Sequence, residues 1–154
     1  WTLTYDKITG ETTLTPNTTG SPTVLPTIVF NVTDINFTFD QSGRLTLVWR
    51  VGANTYLFWY DTQLGQTVTE DLGTDILSAV IQLDDKRTTQ NVFNDMILWY
   101  IKDDGSCTYT LYNKLQRDRF DTEYTMSLLL PVPYLHYVGM HYGLRIQLTL
   151  SSEK

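Results

Sequence analysis

Two histidines, one cysteine and a few paired carboxylates are the residues of this chain that could do chemistry. His136 and His141 stand five apart in an aromatic stretch, a spacing that puts them on opposite faces of a strand. A shared metal or a base pair is therefore disfavoured, and partly buried imidazoles among aromatic neighbours are expected. Cys107 is alone, which removes an intramolecular disulfide and a Cys-based zinc site. Nothing near it activates a thiolate, so it is expected to pack as a small strand residue. Asp84-Asp85 and Asp103-Asp104-Gly105 offer the oxygen ligands that calcium takes. Neither extends to an Asp-x-Asp-x-Asp-Gly loop with a distal Glu, and solvated turns are the expectation. Gly-x-Ser-x-Gly, a P-loop and His-Glu-x-x-His are all missing from the sequence. No catalytic residue, metal or cofactor is expected.

Recognition is better represented than catalysis. The rings of Trp49, Trp59, Tyr60, Trp99 and Tyr100 could stack on sugars, although in an alternating strand Trp59 and Tyr60 point to opposite faces. At least one ring of each such pair is expected in the core. Lys114, Arg117 and Arg119 form a basic patch interleaved with Asp118 and Asp121. It could dock an acidic surface or one phosphate, or its charges could be paired on a solvated strand and contribute little. The stretch 128–142 is apolar and aromatic and includes Tyr134 and Tyr137, so it is either a buried strand pair or a surface for a partner. Trp59, Trp99, Tyr100, Lys114, Arg117, Arg119, Tyr134 and Tyr137 are accordingly the candidate interaction residues. Asn17, Asn31 and Asn36 lie in Asn-x-Thr sequons, which matter only on a eukaryotic secretory route.

Short alternating strands must position these residues. In residues 36–50, Phe37 and Phe39 alternate with Thr38, and Leu45, Leu47 and Trp49 alternate with Thr46 and Val48. Between them Asp40-Gln-Ser-Gly43 predicts a turn, because Asp bonds its own backbone and Gly accepts positive φ. Turns at 51–54 and 61–65 continue this into a four-stranded meander. The wording then recurs: Ile97-Leu-Trp-Tyr100 answers Leu47-Val-Trp-Arg50, and Tyr112-Asn113 answers Tyr60-Asp61. At the start, Tyr5-Asp6-Lys-Ile-Thr-Gly10 answers Tyr60-Asp61-Thr-Gln-Leu-Gly65, and residues 143–150 loosely echo 43–49.

A repeat of about 50 residues with four antiparallel strands predicts an all-β fold that is β-propeller-like or a partial propeller, with a β-sandwich as the alternative. The repeats are read as a partial one at about 1–15, full ones at 34–70 and 76–125, and a partial one at 134–150, in a single domain or a piece of a larger chain. Residues 15–26, with three prolines, read as loop or linker. Residues 117–121 are the one place where a helical turn is expected. About three blades fall short of the ~4 that close a ring, so the blades are expected to be completed in cis or by neighbouring copies. The turn at 38–46 loosely resembles the Asp-box of sialidase-type propellers. Its Gly comes one residue late, and an arginine cluster for a sialic carboxylate is not evident.

Composition agrees with this architecture. Of 154 residues 25 are Thr and 13% are aromatic, which suits half-buried pleated strands and excludes disorder. A net charge of −6 argues against binding free nucleic acid or anionic membrane. No apolar run approaches the ~20 residues of a membrane-spanning helix, and membrane insertion is not expected. Trp in place of Met at position 1 leads to the expectation of a processed product or a piece of a longer polypeptide.

Phe39-Asp-Gln-Ser-Gly-Arg44 with Trp49, Tyr56-Leu-Phe-Trp-Tyr-Asp61, Asp84-Asp-Lys-Arg87, Leu115-Gln-Arg-Asp-Arg-Phe-Asp-Thr-Glu123, Val138-Gly-Met140 and Gly143-Leu-Arg-Ile-Gln147 lie within residues 35–148, about three quarters of the chain. In these residues the stretch resembles tailed-bacteriophage virion or tail proteins with β-rich repeats. The resemblance implies a structural part of a phage tail, in the hub, nozzle or fibre-attachment region, whose partners are other virion proteins and copies of itself. It supplies no catalytic residue. A carbohydrate-binding adhesin domain for host glycans is the alternative expectation, and a sialidase-like glycosidase, which needs two flanking carboxylates, is a distant third.

Overall fold

A computed structural model describes residues 2–6, 8–15, 23–24, 32–40, 42–84, 95–103, 109–116, 119–121, 123–128, 133–141 and 145–151, with the backbone alone at 23–24, 84, 95, 136–141 and 145–148. Cys107, Asp85, Asp104, Arg117, Asp118, Asn17 and Asn31 lie outside the described residues, as do the side chains of Tyr137, His136 and His141.

Among the described residues, thirteen antiparallel strands make four sheets. β1 (Thr2–Tyr5), β2 (Thr12–Thr15) and β3 (Thr23–Val24) form the first. The second contains β4 (Val32–Phe39), β5 (Leu45–Val51), β6 (Asn54–Asp61) and β7 (Gln66–Gly73) in chain order. In the third, β8 (Ile76–Asp84), β9 (Asp95–Asp103), β10 (Tyr109–Leu115) and β11 (Glu123–Leu128) repeat that order, and β12 (Tyr134–His141) pairs with β13 (Arg145–Ser151) in the fourth. The expectation of an all-β chain with antiparallel four-stranded sheets is met. The expectation of loop throughout 15–26 is corrected by β3, which falls inside that stretch and pairs Thr23 and Val24 with β2.

Turn chemistry explains where the strands fold back. Asp40 Oδ1 accepts the N–H groups of Ser42 and Arg44, both at 2.8 Å, and the Gly43 N–H donates to the Asp40 carbonyl. Asp61 repeats the device with Gln63 and Leu64, and Asp6 with Ile8 and Thr9. Four residues after each of these last two Asp residues a glycine closes the turn, Gly65 at φ 67° and Gly10 at φ 73°, a conformation that costs an L side chain about 1–2 kcal/mol. At 115–120 the Arg119 N–H donates to the Gln116 carbonyl and the Phe120 N–H to the Leu115 carbonyl. That pair of bonds is how a helical turn ends in a left-handed residue, and Arg119 has φ 52°.

The sheets stack face to face in the order of the chain. Leu3 and Tyr5 of the first pack on Leu47, Trp49, Tyr56 and Phe58 of the second. The opposite face of the second, with Val48, Leu57 and Trp59, meets Ile81, Met96, Leu98 and Tyr100 of the third. The remaining face of the third, with Val80, Trp99, Ile101 and Leu111, meets Leu135 and Leu150 of the fourth. Leu57, Leu98 and Ile101 are wholly buried, each contributing roughly 1.5–3 kcal/mol of transfer free energy. Between sheets the most extensive main-chain contacts are those of β8 with β4 and of β12 with β8. The first strand of each large sheet thus packs on the first strand of the next, a stacking that a partial propeller and a sandwich both allow.

The packing of the faces corrects the alignment of the repeat. Trp49 and Trp99, matched by wording, face opposite ways: Trp49 toward the preceding sheet and Trp99 toward the following one. The residue equivalent to Trp49 is Tyr100. Trp49 stacks on its cross-strand partner Tyr56 at 5.5 Å, and Tyr100 on its partner Tyr112 at 5.2 Å, both pairs on the two middle strands and both turned toward the preceding sheet. With a side-chain period of two, a one-residue slip in alignment exchanges the faces. Tyr5 and Tyr60 differ in the same way. Their turns match, but Tyr5 packs toward the second sheet, whereas Tyr60 shares the face of Tyr56 and Phe58 that looks back at the first.

Candidate functional site

The described polar side chains gather at three places. The outermost lies between the second and third sheets. Asp61, 1% exposed, uses one carboxylate oxygen for its own turn and the other for Arg119, whose Nε and Nη2 donate at 2.9 and 2.7 Å. Burial pushes the Asp61 carboxyl up, but the N–H groups of Leu64 and Gln63 and the Arg119 guanidinium outweigh it and hold the group below the usual range. Beside it Phe120, at φ 58°, packs edge-on against Trp59 at 5.0 Å. Two consecutive non-glycine residues in the left-handed region store strain, held by one ion pair, in which both Arg119 nitrogens donate to the same Asp61 oxygen, and by one buried ring.

The second place is the face of the third sheet around Glu123. This carboxylate accepts from the Tyr100 hydroxyl and sits 3.5 Å from Lys114 Nζ and 3.9 Å from Lys102 Nζ. Lys102 also lies over the Tyr100 and Tyr112 rings, at 5.6 and 5.0 Å from their centroids, and 3.9 Å from Asp75. Burial raises the Glu123 carboxyl, and the Tyr100 hydroxyl and the two lysines overcome that and lower it. Tyr100 moves the other way, its neutral phenol favoured by burial and by the adjacent carboxylate.

The third place runs along the seam. Asn36 Oδ1 on β4 accepts from the Ile81 N–H on β8, and Ser78 Oγ on β8 accepts from the Leu135 N–H on β12. The Tyr134 hydroxyl donates to Asp34 Oδ2 at 2.6 Å, joining the fourth sheet to the second across 100 residues of chain. Arg50 Nη1 donates to the Leu77 carbonyl at 2.9 Å. Burial first, then the hydrogen bond to Asp34, pushes the Tyr134 phenol up to about 12. Asp34, Arg50, Thr55 and Ser78 line a cleft whose free volume is about 10 Å³, the room of a single water. That is far below the roughly 300–1,000 Å³ of small-molecule sites. Thr55 Oγ1 is buried there without a partner among the described residues.

The predicted residues divide accordingly. Trp59 and Tyr100, 2% and 1% exposed, are corrected from surface to core: each ring lies between the second and third sheets and offers no plane to a ligand. Their polar atoms are satisfied internally, Trp59 Nε1 by Glu70 at 3.0 Å and the Tyr100 hydroxyl by Glu123. Trp99 is half-buried against the fourth sheet. Lys114 and Arg119 are paired with Glu123 and Asp61. Tyr134 is a seam residue. Arg117 and the Tyr137 side chain lie outside the described residues.

Asp61, Asp34, Glu123 and Phe120 matter at these places and were not singled out by type and spacing. Asp61 and Arg119 are 58 residues apart, and only the stacking of sheets brings them together. The readable signal at Asp61 was the turn, which uses one carboxylate oxygen and leaves the other for a donor. Asn36, read as a sequon, is committed to the seam. His136 is the extra residue of a bulge in β12, between the paired Leu135 and Tyr137. No group of three or more metal-ligating side chains occurs among the described residues. No family model, curated protein or solved structure matches this chain.

Proposed function

We propose that this chain is a structural module of a tailed-bacteriophage particle, working by shape and by assembly with other virion proteins and with copies of itself. The assembly half of the reading is carried by one observation: two of the three polar clusters described above fasten sheet to sheet. Asp61 with Arg119, Asp34 with Tyr134, Asn36 with the Ile81 amide and Ser78 with the Leu135 amide each cross a sheet boundary. Such ties make a stiff stack whose faces serve neighbours. The phage setting rests on the resemblance in residues 35–148. Antibody labelling of purified phage particles tests it: decoration of the tail is the expected result, and particles that carry none of the chain overturn it.

The carbohydrate-binding alternative loses ring faces to the core at Trp59 and Tyr100. A glycan array on the intact chain and on Trp99→Ala tests what remains, because binding that survives in the wild type and disappears in the variant would favour the adhesin reading.

A further inference from the structure

Four bulges interrupt the described strand pairs, and all four fall beside one spot on the seam. Thr33 is the extra residue in β4, between Val32 and Asp34, and Leu72 is the extra one in β7, where Thr55 pairs with Gly73 and Tyr56 with Asp71. On β8 it is Leu77, between Ile76 and Ser78, and on β12 it is His136, next to Leu135. Asp34, Thr55 and Ser78 line the cleft on the seam, and the Leu135 N–H donates to Ser78 Oγ. A bulge frees peptide groups from the ladder and re-aims the side chains beside it, which is why bulges collect next to sites. Leu77 shows the first effect, its carbonyl accepting from Arg50 Nη1.

Polar groups stand in one row at this cleft. Asp34 pairs with Arg50 and Arg50 with Thr55, so the three side chains are abreast on the face of the second sheet that carries Val48 and Leu57 toward the third, and Ser78 approaches from β8. Much of their bonding capacity is spent. The Tyr134 hydroxyl donates to Asp34 Oδ2, Arg50 donates to the carbonyls of Gly52 and Leu77, and Ser78 Oγ accepts one amide. Thr55 differs: the residue is 2% exposed, and its Oγ1 is without a partner among the described residues. A buried hydroxyl left unmatched costs the full desolvation of the group. The cleft it lines has about 10 Å³ of free volume, the room of one water, and its walls offer the two to four polar partners that a buried water takes. We infer that the cleft is a binding site for one ordered water, held by the Thr55 hydroxyl together with Asp34, Arg50 and Ser78, and that this water joins the second sheet to the third. A metal ion is the poorer occupant, because the Arg50 guanidinium already sets a positive charge on the wall.

A crystal structure of the 154-residue chain at a resolution that shows waters tests this first. The expected density is a single water about 2.5–3.0 Å from Thr55 Oγ1. Urea midpoints of Thr55→Val and Thr55→Ser test it a second way. Thr55→Val keeps the shape of the side chain and removes the hydroxyl. In a dry cleft that change deletes an unmatched polar group and raises the midpoint, whereas with the water in place it takes away one of the water's partners and lowers the midpoint. Crystals of Thr55→Val should lack the water, and those of Thr55→Ser should keep it. A wild-type cleft without the water, an atom there at metal-ion distances of about 2.0–2.4 Å from its oxygens, or a Thr55→Val midpoint that holds or rises each overturns the inference. The wild-type density decides whether or not the variants fold. Antibody labelling of phage particles can fail while the water stands, and the reverse, so the two readings are separable.

Discussion

At the scale of single residues, the Arg119-Phe120 pair is where this chain holds strained backbone for a purpose that can be measured. Both residues are left-handed, and each is held by one partner across the sheet boundary, Asp61 and Trp59. Phe120→Ala should cost about 3–5 kcal/mol in urea unfolding, the range for removing a buried aromatic ring. The carboxyls of Asp61, Glu123 and Asp6 titrate below their ordinary range. A lowered folded pKa contributes stability above the unfolded value near 4 and loses it as pH falls through the folded one. Acid unfolding should therefore steepen below about pH 4, and less so in Glu123→Gln. Tyr134 has the opposite sign. Its phenol, raised to about 12, contributes stability that is complete below the unfolded value near 10 and is lost as pH rises from 10 to 12. Absorbance titration of Tyr134→Phe against the wild type should remove a late-ionising phenol and flatten the alkaline loss.

At the scale of elements, the turns carry the information that the strands lack. Asp40, Asp61 and Asp6 each fold the chain with the same carboxylate-to-amide bonds, and that chemistry is local enough to read from four or five residues. Gly43, at φ 72° with open space around an added Cβ, isolates the backbone term. Gly43→Ala should cost about 1 kcal/mol and leave the sheet packing unchanged, as checked by urea midpoint and near-UV circular dichroism. Strand identity was equally legible, because alternation over 36–60 needs only neighbours. Which face looks where was not legible, and Trp49 shows why. Its likeness to Trp99 is a likeness of words, while its structural counterpart is Tyr100, one residue later in the matching stretch. A period of two gives no warning when the alignment slips by one.

For the molecule as a whole, stability should grade from the middle of the stack outward. β5, β6, β9 and β10 are internal strands of the two large sheets, and most of the wholly buried side chains lie on them or on β8, whereas the first sheet contributes Leu14 and Thr12. Native-state hydrogen exchange should find the slowest amides on β6 and β9 and the fastest on β1 and β2; equal protection throughout would contradict the layered order. By itself the sequence determined the strand class, the turns, the repeat length and the lack of a recognisable catalytic motif, because each depends on residues within a few positions of one another. Only the tertiary structure decided that Trp59 and Tyr100 are core, that Arg119 serves Asp61, and that Tyr134 reaches Asp34 across 100 residues. Those facts depend on which face of one sheet meets which face of the next, a relation between distant segments that no local pattern encodes.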